Sequence, residues 1–224
     1  MDIKGAIFDC DGTLIASLGF WEVLYEKLGE YYFNDKSFHP ASEDDRAMRT
    51  QNAAFIGKVF HTRYGVQEDE ERIAKRALDI CEWYYRELVE LKAGVRELLA
   101  HLKKTGVKIC IASAAETDLI KMVLAKHDIL DYFEGIVSCT EIGAGKDKPD
   151  VFIAAEKFLG TSRNQTWVFE DSLLAAKTAK SAGYPVVGVY DRLGFGQDAL
   201  RELSDEFIEE DGSFAQLIEK IVKK

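Results

Sequence analysis

Short apolar runs alternate along this chain with stretches whose apolar residues recur every three or four positions. The runs are Gly5-Ala6-Ile7-Phe8, Val107-Lys108-Ile109-Cys110-Ile111, Gly135-Ile136-Val137, Trp167-Val168-Phe169 and Val186-Val187-Gly188-Val189. They are rich in β-branched or aromatic residues, as buried parallel strands are. Between them, Val95, Leu98, Leu99 and Leu102 form one helical stripe. Ile120, Val123 and Leu124 form a second, and Phe152, Ala155, Phe158 and Leu159 a third. Gly106, Gly160 and Gly183 follow closely on helical stretches, where helix-stop glycines fall. Repeated strand–helix units predict an α/β fold, a parallel sheet with helices on both faces.

Residues 16–91 break the alternation, with no convincing strand. Trp21, Leu24, Tyr25 and Leu28 share one helical face, and Ile73, Ala77, Ile80, Tyr84 and Leu88 another. The segment is too long for a plain loop. It predicts an inserted all-helical domain, 16–91, within a core of 1–15 and 92–224, with linkers near Ile15–Leu18 and Glu90–Gly94. It leaves the core just after the first strand, where open α/β sheets bind ligands, so the expected role is a substrate-covering cap rather than a stabilising lobe.

The net charge of −10 argues against a nucleic-acid partner, which needs clustered Lys and Arg. A small phosphorylated metabolite is compatible with it, since a metal ion and one or two local cations reverse the field inside a cleft. No apolar run approaches the roughly 20 residues of a membrane helix, and no secretory pattern opens the chain, so the expected location is cytoplasmic, with no membrane partner. Cys10, Cys81, Cys110 and Cys139 lie far apart without Cys-x-x-Cys spacing, which points away from zinc or redox motifs. His39, His61, His101 and His127 form no ligand pattern. Nothing suggests an obligate assembly; the expected state is a monomer or weak dimer.

Four sites that carry chemistry each follow a predicted strand. In Phe8-Asp9-Cys10-Asp11-Gly12-Thr13-Leu14, Asp9 is placed at the strand tip, where a carboxylate can attack phosphorus, and Asp11, two residues on, can serve as acid and base. Gly12 lets the backbone turn sharply beneath a phosphate. The alternative, an Asp-Gly surface turn, is weak for the full string after a strand. Ser113 ends the next strand and offers a hydroxyl to a phosphoryl oxygen, although Ser there is also a common cap. In Gly145-Lys146-Asp147-Lys148-Pro149-Asp150 either lysine can offset charge on the transferring group, and Pro149 starts the next helix. Glu170-Asp171-Ser172 ends the fourth strand; Asp171 suits direct magnesium binding with Glu170 in support, and an acidic helix cap is compatible with that role.

In this order the motifs resemble those of the haloacid dehalogenase-like superfamily over nearly the whole chain. Asp9 and Asp11 resemble its first signature, Ser113 the second, Gly145–Asp150 the third and Glu170-Asp171-Ser172 the fourth. The resemblance implies a Rossmann-like core, prefers Lys146 over Lys148 by spacing, and implies a Mg2+ ion held by Asp171, the Asp9 side chain and the Asp11 carbonyl. The helical insert resembles the small-cap subgroup that includes phosphoglycolate phosphatase-like enzymes and β-phosphoglucomutase. Ala16-Ser17 and Ala93-Gly94-Val95 depart from the Asp-Ser and Pro-Gly-Val of many relatives, the first at the hinge of the insert.

The expected function is a magnesium-dependent phosphatase acting on a small phosphomonoester through an aspartyl phosphate on Asp9. Phosphate would lie among magnesium, Ser113, Lys146 and backbone N–H groups near Gly12. A β-phosphoglucomutase-like mutase is the alternative with the same machinery. It needs a second phosphate contact, for which Arg46 and Arg49 are candidates, but Glu43, Asp44 and Asp45 can pair with them as a solvated face. A dehalogenase has no need of Asp11 or a metal site. A non-catalytic phosphate-binding module would be expected to lack the nucleophile or the metal acid, and both are present.

Overall fold

The computed structural model describes residues 1–49 and 51–222. Contacts divide the chain into two compact units, one of residues 1–18 and 89–224, the other of residues 19–88.

The first unit holds strands β1 (Gly5–Phe8), β2 (Lys108–Ser113), β3 (Gly135–Ser138), β4 (Thr166–Glu170), β5 (Val186–Val189) and β6 (Glu206–Ile208). All pairs are parallel, in the order β3-β2-β1-β4-β5-β6. The chain builds outward from β1 to β3, then returns to the other side of β1 for β4 to β6. That reversal makes the β1/β4 boundary a topological switch point, and the crevice beyond the strand ends there is the natural ligand site of such a sheet. Register sets Phe8 opposite both Ile111 and Phe169, and the Asp9 N–H donates to the Phe169 carbonyl at 3.0 Å. The tips of β1 and β4 therefore end level.

The sheet is buried through its centre. Ile7, Cys110, Val168 and Val186 pack with Val151, Phe152, Ala155 and Ala176 in one cluster, and the Phe8 and Phe169 rings stack at 4.1 Å. Each Val, Ile or Phe among them contributes roughly 1.5–3 kcal/mol when fully buried.

In chain order the helices are α1 (Phe20–Phe33), α2 (Ser42–Met48), α3 (Ala53–Arg63), α4 (Glu70–Glu87), α5 (Val95–Lys104), α6 (Thr117–Lys126), α7 (Cys139–Ile142), α8 (Asp150–Leu159), α9 (Leu173–Ser181), α10 (Gln197–Leu203) and α11 (Gln216–Val222). Gly106, Gly160 and Gly183 all have positive φ just past helix ends. Phe158 differs from its expected place in the third stripe: it is 55% exposed, and Val151 takes the core position. Strand β6 carries no apolar run. It is an edge strand in which only Ile208 is buried, so one-sided pairing leaves Glu206 free to be polar.

The second unit is entirely helical, α1 to α4. Its core includes Leu24, Tyr25, Leu28, Met48, Ile56, Val59, Phe60, Val66, Ile73 and Ala77. Asn52 and Asp69 cap α3 and α4, accepting from the Phe55 N–H at 3.2 Å and the Arg72 N–H at 2.9 Å. Leu88, expected on the α4 stripe, is 48% exposed just beyond the helix end. The expected solvated face is only partly so. Arg49 pairs with Asp45 at 2.7 Å, but Asp44 is buried and bound by Arg63 and by the Tyr64 hydroxyl at 2.8 Å.

Residues 16–18 and 89–91, which the sequence allots to the insert, pack with the first unit. The two chain crossings pair as a short ribbon: the Ala16 N–H donates to the Glu90 carbonyl and the Lys92 N–H to the Leu14 carbonyl, each at 2.9 Å. Lys126 Nζ donates to the Val89 carbonyl at 2.7 Å, and His127 Nε2 lies 2.9 Å from the same oxygen. Main-chain pairing, invisible in hydropathy, sets this boundary.

Candidate active site

Asp9, Glu170 and Asp171 come together where β1 and β4 end. Each is buried, and one carboxylate oxygen from each lies within 4.8 Å of the others. Lys146, from the loop before α8, reaches into this cluster. Its ammonium pairs with Asp9 Oδ1 and donates to Glu170 Oε1 at 2.6 Å. Lys148 is exposed, so the structure places Lys146, of the two lysines, against the carboxylates. The other Glu170 oxygen accepts from the Ser172 N–H at 3.2 Å. The Ser172 side chain caps α9, accepting from the Ala175 N–H at 3.5 Å, so the capping role suggested by sequence coexists with the acidic cluster.

Burial pushes the Asp171 carboxyl well above the usual carboxylate range, and the neighbouring Glu170 and Asp9 charges push it further. Burial also raises Glu170, to about 7, against the opposing pull of Lys146. For Lys146, burial works against the charged form, but the Asp9 and Glu170 carboxylates outweigh it and raise its pKa. The Lys146 ammonium thus contacts two of three clustered buried carboxylates. Buried charge of one sign is costly unless paired. A hard divalent cation answers both the excess negative charge and the all-oxygen donor set. The donors present therefore fit Mg2+.

Around this cluster the first loop is built tightly. Gly12 has φ of +77°, and a Cβ there would run into the Asp171 carboxylate, so the position needs glycine for conformation and for space. Thr13, fully buried, donates its hydroxyl to Asp171 Oδ1 at 2.8 Å. Sequence reading assigned Thr13 no role; a polar residue held inside the Asp-Gly-Thr turn is the signal that it has one. Asp11 is half-buried, and the Ser17 hydroxyl donates to its Oδ1 at 2.7 Å. Ser17 is the residue of the Ala16-Ser17 departure, and its side chain orients the Asp11 carboxylate.

Ser113 ends β2 and is 1% exposed. Its oxygen accepts the Ala115 N–H at 3.1 Å, a turn former's bond that leaves its O–H to donate to a ligand. Ser113 shares the sheet edge with Asp9, while the direct contacts above join Asp9, Lys146, Glu170 and Asp171. Cys10, between the two aspartates, is fully buried, and burial raises its thiol well above the ordinary value, with Asp11 and Asp9 adding to the effect. It is an inert core residue.

The chain is similar to known proteins along most of its length. The chain is 25% identical over 201 residues to the phosphorylated carbohydrates phosphatase of Thermotoga maritima, covering 88% of this chain and 90% of that protein. It is 26% identical over 208 residues to the β-phosphoglucomutase of Bacillus subtilis, covering 88% and 86%. A Thermotoga maritima crystal structure shares the fold with a TM-score of 0.80 at 23% identity, covering 99% of each chain. Residues 3–183 match the haloacid dehalogenase-like hydrolase family, to which this chain belongs.

Proposed function

We propose that this chain is a magnesium-dependent phosphatase that hydrolyses phosphomonoesters of small metabolites, phosphorylated sugars first among them, with Asp9 as nucleophile. The observation that carries this reading is the buried cluster of Asp9, Glu170 and Asp171 with the Lys146 ammonium set against it. The sugar class rests on the similar phosphatase and mutase.

Magnesium held by the side chains of Asp9 and Asp171 and by the Asp11 carbonyl, with Glu170 in support, would supply charge neutralisation at the transferring phosphoryl group. Ser113, Lys146 and the backbone N–H groups near Gly12 bind and orient that group. An Asp9 carboxylate oxygen attacks phosphorus as the bond to the ester oxygen breaks, and Asp11, oriented by Ser17, gives that oxygen its proton. Asp11, now a carboxylate, takes a proton from water as the water oxygen attacks the same phosphorus. The bond to Asp9 breaks, inorganic phosphate leaves, and both aspartates return to their starting states. The helical unit, residues 19–88, acts as the cap and selects the leaving group.

Asp9→Asn tests this directly. Phosphate release from p-nitrophenyl phosphate with magnesium is expected in the native protein and absent in the variant or after chelation. Release by Asp9→Asn at the native rate overturns the mechanism. Metal-independent binding of phosphate without turnover would identify a binding module. The similar β-phosphoglucomutase supports a second reading, a sugar phosphomutase on the same machinery. Incubation with a hexose 1-phosphate separates them, since hydrolysis yields free phosphate and a mutase yields the isomeric sugar phosphate.

A further inference from the structure

Behind Asp171 lies a polar chain that the mechanism above does not use. Gln197, the first residue of α10, donates its Nε2 to the Asp171 main-chain carbonyl at 3.3 Å. Its Oε1 accepts the N–H of Asp191 at 3.2 Å. One amide orientation satisfies both bonds, because a main-chain carbonyl only accepts and an N–H only donates. Asp191 is itself buried, its Oδ1 accepting the Leu193 N–H at 2.9 Å and its Oδ2 pairing with Lys92 at 3.0 Å. The Lys92 ammonium also donates to the Tyr190 carbonyl at 2.7 Å. Gly194 leaves the room this needs, since a Cβ there would strike Gln197 Nε2.

The two ends of this chain meet the same site. Lys92 stands on the return crossing, and its N–H is bonded to the carbonyl of Leu14, in the loop that carries Asp9 and Asp11. Gln197 grips the residue that follows β4. Lys92 and Asp191 are both largely buried, at 16% and 10% side-chain exposure. A pair so enclosed holds one geometry, whereas an exposed pair holds many.

We propose that Lys92, Asp191 and Gln197 are positioning residues for Asp171: they set the backbone that aims its carboxylate at the metal. The inference rests on the reading of Asp171 as a metal ligand. Outer partners of metal ligands commonly change metal affinity about 10–100-fold when removed.

The test is Mn2+ binding to the full-length protein, followed by the electron paramagnetic resonance signal of free Mn2+, together with melting temperatures without metal. Asp171→Asn is the reference and is expected to abolish binding. Gln197→Ala and Lys92→Met are each expected to weaken binding roughly 10-fold. The double variant should be little worse than Gln197→Ala alone, because Lys92 reaches Asp171 through Asp191 and Gln197. Asp191→Asn, which keeps size and the acceptor for the Leu193 N–H, should weaken binding in the same direction and guards against a misfolded Lys92 variant. Native-strength binding by Gln197→Ala and Asp191→Asn overturns the inference, and so does a lowered metal-free melting temperature with unchanged Mn2+ affinity. Native-strength binding by Asp171→Asn would instead remove the reading beneath it, and the inference with it.

Discussion

Lys146 is the residue on which the charge balance of the site turns. It contacts Asp9 and Glu170 at 12% side-chain exposure, and their own exposures are 9% and 1%. Replacing it with methionine keeps the stem and takes from the buried Asp9 and Glu170 carboxylates the cation that contacts them. Removing one partner of a buried pair costs about 3–5 kcal/mol. Lys146→Met is therefore expected to lower metal-free stability by about that much, with magnesium restoring part of it; equal losses with and without metal in urea denaturation would contradict the charge argument. Thr13→Val removes one hydrogen bond to a buried carboxylate while keeping shape. An unsatisfied partner costs about 1–3 kcal/mol, and the magnesium concentration for half-maximal activity should rise. An unchanged magnesium dependence would show that Thr13 serves only packing.

At the scale of the element, the loop after β1 is held tightly at Gly12. Gly12→Ala would place a side chain at φ of +77° and against Asp171. The conformation alone costs about 1–2 kcal/mol. The displacement of Asp171 matters more, so metal binding measured by calorimetry should fall further than stability does. A variant that melts lower yet binds metal normally would show that the loop relaxes away from Asp171. The two crossings between units behave as one element too. The ribbon of Ala16 with Glu90 and of Leu14 with Lys92, together with the contacts to the Val89 carbonyl, explains why the second unit begins at Gly19 and ends at Leu88.

Across the whole molecule, the acidic site makes stability depend on pH with a definite sign. Burial raises Glu170 to about 7 and raises Asp171 well above its ordinary range. Between the ordinary carboxylate pKa and those raised values the folded metal-free protein holds protons that the unfolded chain has released. This contribution to stability is present at low pH and is lost as pH rises through about 7. A cation that binds the ionised cluster reverses the loss. The rise in melting temperature on adding saturating magnesium should therefore be larger at pH 8 than at pH 5, and a rise of equal size at both would refute the coupling. Among the described residues no helix is long and apolar enough to cross a membrane.

The alternation of strands and helices, the parallel sheet and the motifs at the tips of β1, β2 and β4 were legible in the sequence, whereas Lys146 comes from the loop between α7 and α8 rather than from the tip of β3. Buried strands must be apolar, and a group at a strand tip of a parallel sheet must lie on its one carboxyl edge. Glycines past helix ends were legible for the same local reason, as was Pro149 at the start of α8. Strand β6, the packing of residues 16–18 and 89–91, and the exposed place of Phe158 were not, because each depends on what the chain meets across the fold. The same holds within the site. Asp9, Glu170 and Asp171 could be named from their places just after apolar strands. The Thr13 hydroxyl on Asp171, the Ser17 hydroxyl on Asp11 and the line from Lys92 through Asp191 to Gln197 arise only when loops far apart in sequence are brought within a hydrogen bond of one another. Hydropathy and motif spacing determine which residues reach the sheet edge; the folded backbone alone decides which polar groups then hold them there.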